Sequence, residues 1–145
     1  MANTRSKQTY YAARLLTTQW AQPGDGVHVV YPACSDITDP AGRPLVTAYA
    51  VRRPDRRLAL ILINKDPIRS WDTRIELRSS GAPEPTKGGA DVYQVSPATY
   101  VWHPGGEHGF PRPDLPPAHT TLDSLATAIR LPPFSLTVAR TTPLP

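Results

Sequence analysis

Proline is the feature of this sequence that most restricts its fold, since 18 of the 145 residues are proline and a further 9 are glycine. Each proline fixes φ and removes a backbone N–H, so prolines spread along a chain break long helices and favour strands joined by turns. A chain of this length forms about one domain, and it is too short for a (β/α)₈ barrel of about 250 residues. The sequence therefore predicts an all-β fold.

Apolar periodicity divides the chain into one helix and a series of short strands. Residues 8–20 carry Ala12, Leu15 and Leu16 at helical spacing, and a Pro-Gly-Asp-Gly segment follows this helix and ends it. Eight strands are predicted, at residues 27–31, 45–51, 57–64, 73–78, 91–95, 99–102, 126–131 and 134–140. We expect an antiparallel β-sandwich of about eight strands with a short N-terminal helix. Its parts are a helix and linker (1–26), the sandwich (27–140) and a tail (141–145).

The predicted strand at residues 57–64 is apolar on both faces. Leu58, Leu60 and Leu62 alternate with Ala59, Ile61 and Ile63. One face fills the interior of a sandwich, and the other needs a cover, supplied either by the N-terminal helix or by a second domain. The pattern therefore predicts a docking surface on this sheet.

The charge of the chain bears on its binding partners, and its cysteine content bears on its compartment. The net charge is +4, and four arginines crowd one predicted turn, namely Arg52, Arg53, Arg56 and Arg57. We interpret this turn as a solvated hairpin tip beside Asp55, because no nucleic-acid-binding motif accompanies it. No membrane-spanning or secretory segment is recognisable, and the single Cys34 cannot form an intramolecular disulfide, so the compartment, bacterial extracellular or cytoplasmic, stays open.

A metal site is the first candidate for chemistry. His103, Glu107, His108 and His119 lie on one proline- and glycine-rich segment, residues 103–119, which is predicted to be a long loop. Imidazole and carboxylate groups are ligands for zinc or copper. The spacing lacks a His-x-His pair, so a chance cluster is the competing interpretation, and no cofactor is expected.

Carboxylate catalysis is the second candidate. Glycoside hydrolysis needs two carboxyl groups about 5–9 Å apart. The glutamates are Glu76, Glu84 and Glu107, and no evident scaffold holds two of them together.

Sugar binding is the third candidate. Tyr100 and Trp102 are predicted on one side of a strand, followed by His103, and Trp71 opens another segment. Exposed aromatic rings stack on sugar rings, with His103 as a hydrogen-bond donor, whereas core packing is the competing role of such rings.

The amino-acid sequences of three segments resemble those of a known domain. The segments are Leu45-Val-Thr-Ala-Tyr-Ala-Val-Arg-Arg-Pro-Asp55, Leu58-Ala-Leu-Ile-Leu-Ile-Asn-Lys-Asp-Pro67 and Leu131-Pro-Pro-Phe-Ser-Leu-Thr-Val-Ala-Arg140. They are similar to the C-terminal β-sandwich of clan A retaining glycoside hydrolases, most closely family 39 and its relatives in families 30, 44, 51 and 79. Residues 8–20 look like the last helix of the catalytic barrel in those enzymes. The usual glycine of the Arg-Pro-Asp-Gly turn is replaced by Arg56, which puts a tight hairpin there in doubt.

The resemblance implies an accessory domain whose catalytic barrel is absent from this sequence. The catalytic glutamates of those enzymes lie on barrel strands, and no position here matches them. We therefore expect a noncatalytic sandwich that stabilises a barrel and binds a plant polysaccharide such as xylan. Without the barrel, the second sheet face and the helix stripe are expected to be exposed and to support self-association. The alternatives are a stand-alone carbohydrate-binding module and a small metal-dependent enzyme that uses the histidine-rich loop.

Overall fold

The computed structural model describes residues 7–84 and 88–142. The chain opens with helix α1 (Lys7–Arg14), which continues as a π-helical segment (Leu15–Trp20), and a 3₁₀ turn lies at Gly106–His108. The strands are β1 (Val29–Tyr31), β2 (Val46–Arg52), β3 (Leu58–Asn64), β4 (Trp71–Thr73), β5 (Leu77–Ser79), β6 (Ala82–Glu84), β7 (Ala90–Val95), β8 (Tyr100–His103), β9 (Phe110–Asp114), β10 (Ala118–Leu122), β11 (Ile129–Leu131) and β12 (Ser135–Thr141). Among the described residues, no helix has the length and apolar character needed to cross a membrane.

The main layer is a six-stranded antiparallel sheet in the order β1-β2-β3-β12-β7-β10. A two-stranded sheet, β11-β4, lies over its inner face, and β5-β6 and β8-β9 form separate pairs. The predicted all-β sandwich with an N-terminal helix is confirmed. The predicted strand at 73–78 is wrong, because β4 ends at Thr73 and β5 begins at Leu77.

The segment 103–119 is not a long loop, as the sequence predicted. It contains β9, and β10 begins in it. The prolines in this segment are the reason that it was predicted to be a loop. Among the described residues β9 pairs with β8 alone, so it includes Pro111 and Pro113 without breaking a central ladder.

The inner core lies between the six-stranded sheet and the β11-β4 layer. Its buried members from the large sheet include Val46, Leu60 and Leu62, and Leu125 and Leu131 cover them from the other layer. This arrangement confirms that one face of β3 fills the sandwich interior.

The outer face of the same sheet is covered by the helical segment. Leu15, which is 5% exposed, forms a second buried cluster with Ile61, Val95 and Val138, and Trp20 packs against it. The expected exposure of this face and of the helix stripe is therefore wrong. The cover comes from the same chain, because the apolar stripe of the helix fits the apolar outer side chains of β3, β7 and β12. Burial of each large apolar side chain contributes about 1.5–3 kcal/mol.

Arg53 joins the helical segment to the sheet. Its guanidinium donates to the carbonyl oxygens of Thr18 (3.3 Å) and Gln19 (2.6 Å) and pairs with Asp55 at 3.1 Å. The side chain is only 6% exposed, and burial lowers the pKa of its guanidinium despite the opposing charge of Asp55. Interpreting all four arginines as a solvated tip is therefore wrong for Arg53.

The turn that Arg53 opens is tight even without glycine. Arg56 adopts φ of 66°, in the left-handed region, and its N–H donates to the carbonyl of Arg53 at 2.9 Å. The N–H of Arg53 also donates to the carbonyl of Arg57 at 2.9 Å. Arg56 thus occupies a left-handed position that glycine adopts at a lower conformational cost, and the doubt about a tight hairpin here is removed.

A buried amide ties three parts of the chain together. Asn64 is 1% exposed, and the two hydrogens of its Nδ2 are shared among the carbonyl oxygens of Arg69, Leu131 and Pro132, which lie at 2.9–3.1 Å. Its Oδ1 accepts the N–H of Asp66 at 2.9 Å. The end of β3, the loop after it and the bend before β12 are therefore held by one side chain.

Asp66 holds the same loop by accepting backbone hydrogen bonds. The N–H groups of Ile68 and Arg69 donate to its Oδ1 at 2.9 and 3.0 Å, and these bonds lower its pKa below the ordinary value of 3.8. A group with a depressed folded-state pKa contributes stability that is complete above the unfolded pKa and is lost as pH falls through the folded pKa.

We therefore expect the melting temperature to fall as the pH is lowered below about 4, and part of this fall to disappear in Asp66→Asn. Asparagine keeps an oxygen for the same two N–H groups but does not titrate in this range. Thermal melts between about pH 2.5 and 6 measure the effect, with Asp25→Asn as a control at an exposed carboxylate. Parallel pH profiles for wild type and Asp66→Asn would contradict the assigned role.

Candidate functional site

The β8-β9 hairpin carries aromatic rings on both of its faces. In its register Trp102 lies opposite Pro111, and His103 lies opposite Phe110. Because consecutive strand residues point to opposite sides, Trp102 and the His103–Phe110 pair occupy opposite faces. Trp102 is 46% exposed and Phe110 is 51% exposed, so neither face of this tip is buried in the core.

The indole of Trp102 lies against the backbone at Gly109. A Cβ atom placed on Gly109 would be 2.5 Å from Cζ2 of the indole and 3.2 Å from Cε2. The absence of a side chain at Gly109 therefore allows the indole to lie close to the hairpin backbone.

His103 and Phe110 form the second ring surface. Their ring centroids are 5.1 Å apart with planes 19° from parallel. His103 Nε2 lies 2.9 Å from the carbonyl oxygen of Arg112, which fixes the orientation of the imidazole. Phe110 was missed in the sequence, because its strand was taken for a loop. The position of Phe110 opposite His103 follows only from the register of the β8-β9 hairpin, which the sequence alone did not reveal.

The other two aromatic candidates lie elsewhere. Tyr100 is half-buried at the base of the hairpin, and the register shifts between it and Trp102. Trp71 is half-buried in β4, opposite Leu131, and packs against the inner core. The exposed rings at the tip are therefore Trp102, His103 and Phe110.

The four metal candidates are not gathered into one site. His119 lies in β10, where its Nε2 is 3.0 Å from Oδ1 of Asp91 and its ring stacks on Tyr93 at 4.5 Å. Glu107 and His108 lie in the exposed 3₁₀ turn of the hairpin loop. Within residues 7–84 and 88–142, no three histidine, cysteine, aspartate or glutamate side chains lie close enough together to hold an ion.

Asp91 lies on the outer face of the sheet near β10, and polar side chains surround its carboxylate. Burial disfavours its ionised form, but hydrogen bonds from His119 and Arg140 outweigh this effect and lower its pKa. Arg140 Nη2 lies 3.4 Å from Oδ2 of Asp91, and the Thr121 hydroxyl lies 3.4 Å from Oδ1. This group fastens β10 to β7 and β12.

The described glutamates occupy surface positions. Glu76 pairs with Arg78, with 53% of its side chain exposed, and Glu107 is exposed. The side chain of Glu84 falls outside the described part of the chain.

Two solved structures are among those similar to this chain. No protein-family model matches the chain, and no curated protein matches it. One neighbour is CelM2, a bifunctional glucanase-xylanase from a metagenome library, with 21% identity, a TM-score of 0.44 and 67% of this chain covered. Another is the GH51 arabinofuranosidase from Xanthomonas axonopodis pv. citri, with 16% identity, a TM-score of 0.45 and 78% covered. The chain spans only 16% and 21% of these two proteins.

Proposed function

We propose that this chain is a noncatalytic accessory β-sandwich of a glycoside hydrolase, and that it binds plant polysaccharide at the tip of the β8-β9 hairpin. The exposure of Trp102 carries the binding part of this proposal. A tryptophan of a small domain normally buries most of its ring, because that burial is strongly favourable. At this tip Trp102 is instead 46% exposed, with its indole against the backbone of Gly109.

The two faces of the tip suit a sugar chain. Pyranose rings present flat C–H surfaces that stack on aromatic rings, and their hydroxyl groups hydrogen-bond to neighbouring polar atoms. Trp102 offers the stacking surface, and His103, held by the carbonyl of Arg112, offers an imidazole edge beside Phe110. Aromatic stacking of this kind contributes about 0.5–1.5 kcal/mol beyond the area buried.

Two of the segments that resemble glycoside-hydrolase sandwiches pair with each other in the sheet, which supports the proposed role as an accessory domain. The strand that ends in Asn64-Lys65 and the closing Ser135-Leu-Thr-Val138 strand are neighbours, with Ser135 opposite Asn64. The amide of Asn64 also binds the Leu131-Pro132 bend. The residues that carry the resemblance thus form one structural unit.

An apolar strip on the outer face is the proposed contact for a barrel. Tyr49 lies opposite Ile61, and Val30 lies opposite Val51, so both continue the sheet face beyond the helical cover. Both side chains are exposed. A catalytic barrel seated here would extend the buried outer cluster.

Affinity electrophoresis tests the proposed binding. The migration of the chain is expected to be retarded in gels that contain soluble xylan, and Trp102→Ala is expected to weaken the apparent affinity about tenfold. Tyr49→Ala is the matched control, since it removes another exposed ring from β2, which belongs to a different sheet from the β8-β9 hairpin. Unretarded wild type in xylan and in mixed-linkage glucan would overturn the proposal, as would equal retardation of Trp102→Ala.

Gly109→Ala tests whether the orientation of the ring matters. Gly109 has φ of −62° and ψ of 141°, which alanine adopts without strain, so the added Cβ acts mainly by pushing the indole away. We expect the affinity for xylan to fall about threefold to tenfold although Trp102 is present. Glu107→Ala, which truncates an exposed side chain of the same hairpin loop, is the control. Unchanged binding by Gly109→Ala would contradict the positioning role.

A further inference from the structure

Strand β10 forms one edge of the six-stranded sheet and is exposed along almost its whole length. It pairs with β7 on one side, and among the described residues no strand pairs with its other side. Ala118, His119, Thr120 and Thr121 are all exposed, and Leu122 is half-buried. Sheet edges are usually protected by proline, lysine or a bulge, and residues 118–122 contain none of these.

The hydrogen-bond alternation shows which backbone groups of β10 face outward. The N–H of Thr142 donates to the carbonyl of Gly89, so the pairs 142/89, 140/91 and 138/93 are the hydrogen-bonded pairs between β12 and β7. On β7 the alternate residues Ala90, Val92 and Gln94 therefore bond toward β10. Their partners are Leu122, Thr120 and Ala118. The N–H and C=O groups of His119 and Thr121 consequently point away from the sheet.

This edge is complementary to itself in one register. When two copies of β10 run antiparallel with Thr120 opposite Thr120, His119 of each copy lies opposite Thr121 of the other. The outward N–H and C=O groups of these two residues then bond reciprocally. Threonine pairs favourably with threonine across strands, and no charged side chain meets its own copy in this register.

A groove under β10 supports the same pairing. It has a volume of about 210 Å³, and its walls include Val92, Ala118, Leu122 and Ile129. Ala118, Thr120 and Leu122 alternate along one face of the strand, the face turned to the β11 layer. In the pair, Ala118 of one copy lies opposite Leu122 of the other, so the two apolar grooves meet across the two-fold axis.

We propose that a second copy of this chain pairs with β10 through its own β10, forming one continuous antiparallel sheet across a two-fold axis at Thr120. The surface involved is separate from the β8-β9 tip and from the strip at Tyr49. A single strand pair buries little area, so the dimer is expected to be in rapid exchange and to be populated at high protein concentration.

Sedimentation equilibrium over a wide concentration range tests the proposal. Wild type is expected to approach twice the mass of one chain. Thr121→Pro removes an outward N–H from each copy and leaves the backbone bonds to β7 in place, so association is expected to weaken about tenfold or more. It also removes the hydroxyl that lies 3.4 Å from Oδ1 of Asp91, which valine lacks as well. Thr121→Val keeps the N–H and is the matched control. Circular dichroism melts verify that each variant is folded.

A charge swap at the two-fold axis gives a second test that does not depend on proline. Thr120→Lys and Thr120→Glu each place like charges opposite each other and are expected to be monomeric alone, whereas their mixture is expected to form the dimer. A wild type that stays monomeric at the highest concentration would overturn the proposal. So would undiminished association of both single Thr120 variants, or a mixture that remains monomeric.

Discussion

Replacement of Asn64 by leucine is expected to lower the free energy of unfolding by about 3–5 kcal/mol, one of the largest effects of any single substitution in this chain. The leucine side chain has the same number of heavy atoms and the same branching but no donor. The carbonyl oxygens of Arg69, Leu131 and Pro132 would each lose the bond that Nδ2 supplies. A buried carbonyl without a partner costs about 1–3 kcal/mol. Urea unfolding followed by circular dichroism measures the loss.

Two further variants separate this loss from a general effect of mutating the loop. Lys65→Ala changes the exposed neighbour of Asn64 and is expected to change stability by less than about 0.5 kcal/mol. Asn64→Asp places a carboxylate among the same three carbonyl oxygens, which raises the folded-state pKa of that group. This variant is therefore expected to become more stable as pH falls, since only the protonated acid donates. A loss below about 1 kcal/mol for Asn64→Leu would contradict the role of the amide.

Leu15→Ala is expected to lower the free energy of unfolding by about 2–5 kcal/mol. Leu15 is buried in the outer cluster together with Ile61, Val95 and Val138. Its truncation removes apolar contact and leaves a cavity between the helical segment and the sheet. Tryptophan emission should shift to longer wavelength as Trp20, which packs in the same cluster, becomes more accessible.

Leu115→Ala is the matched control for this prediction. It makes the same change of side chain at a residue that is 53% exposed, so the expected loss is under about 0.5 kcal/mol. Equal effects at Leu15 and Leu115 would show that the helical segment does not stabilise the sheet. The outer face would then need another cover.

The strong periodicities of the sequence predicted the sheet well. Alternation of leucines with alanine and isoleucines in β3 indicated a strand buried on both faces, and this is confirmed. Which element covers the second face could not be read from the strand, because a leucine stripe on a helix fits a neighbouring sheet or a missing domain equally well. Only the tertiary position of Leu15 decides this question.

Arg53 shows why the local charge pattern did not predict which arginine side chains are buried. Four arginines near Asp55 are typical of a solvated turn. However, Arg53 turns inward to carbonyl oxygens of Thr18 and Gln19, more than thirty residues earlier in the chain. Its role depends on a long-range contact that no local pattern encodes.

The sugar-binding role of Trp102 and His103 stays a prediction. The sequence placed both residues at the end of a strand, and the structure adds that both are exposed there. Phe110 was not predicted, because the prolines on either side of it in the segment hid β9. Trp71 was predicted from residue type alone, and packing against the inner core accounts for it.

Fluorescence titration with a xylo-oligosaccharide is the most direct measurement of polysaccharide binding at the β8-β9 tip. Of the three tryptophans, Trp20 and Trp71 are half-buried and Trp102 is exposed, so stacking of a sugar on Trp102 should shift the emission to shorter wavelength and protect it from iodide quenching. Both responses are expected in wild type and in Tyr49→Ala, and neither in Trp102→Ala. A wild-type emission spectrum and iodide quenching that do not change at millimolar oligosaccharide would contradict the proposed function.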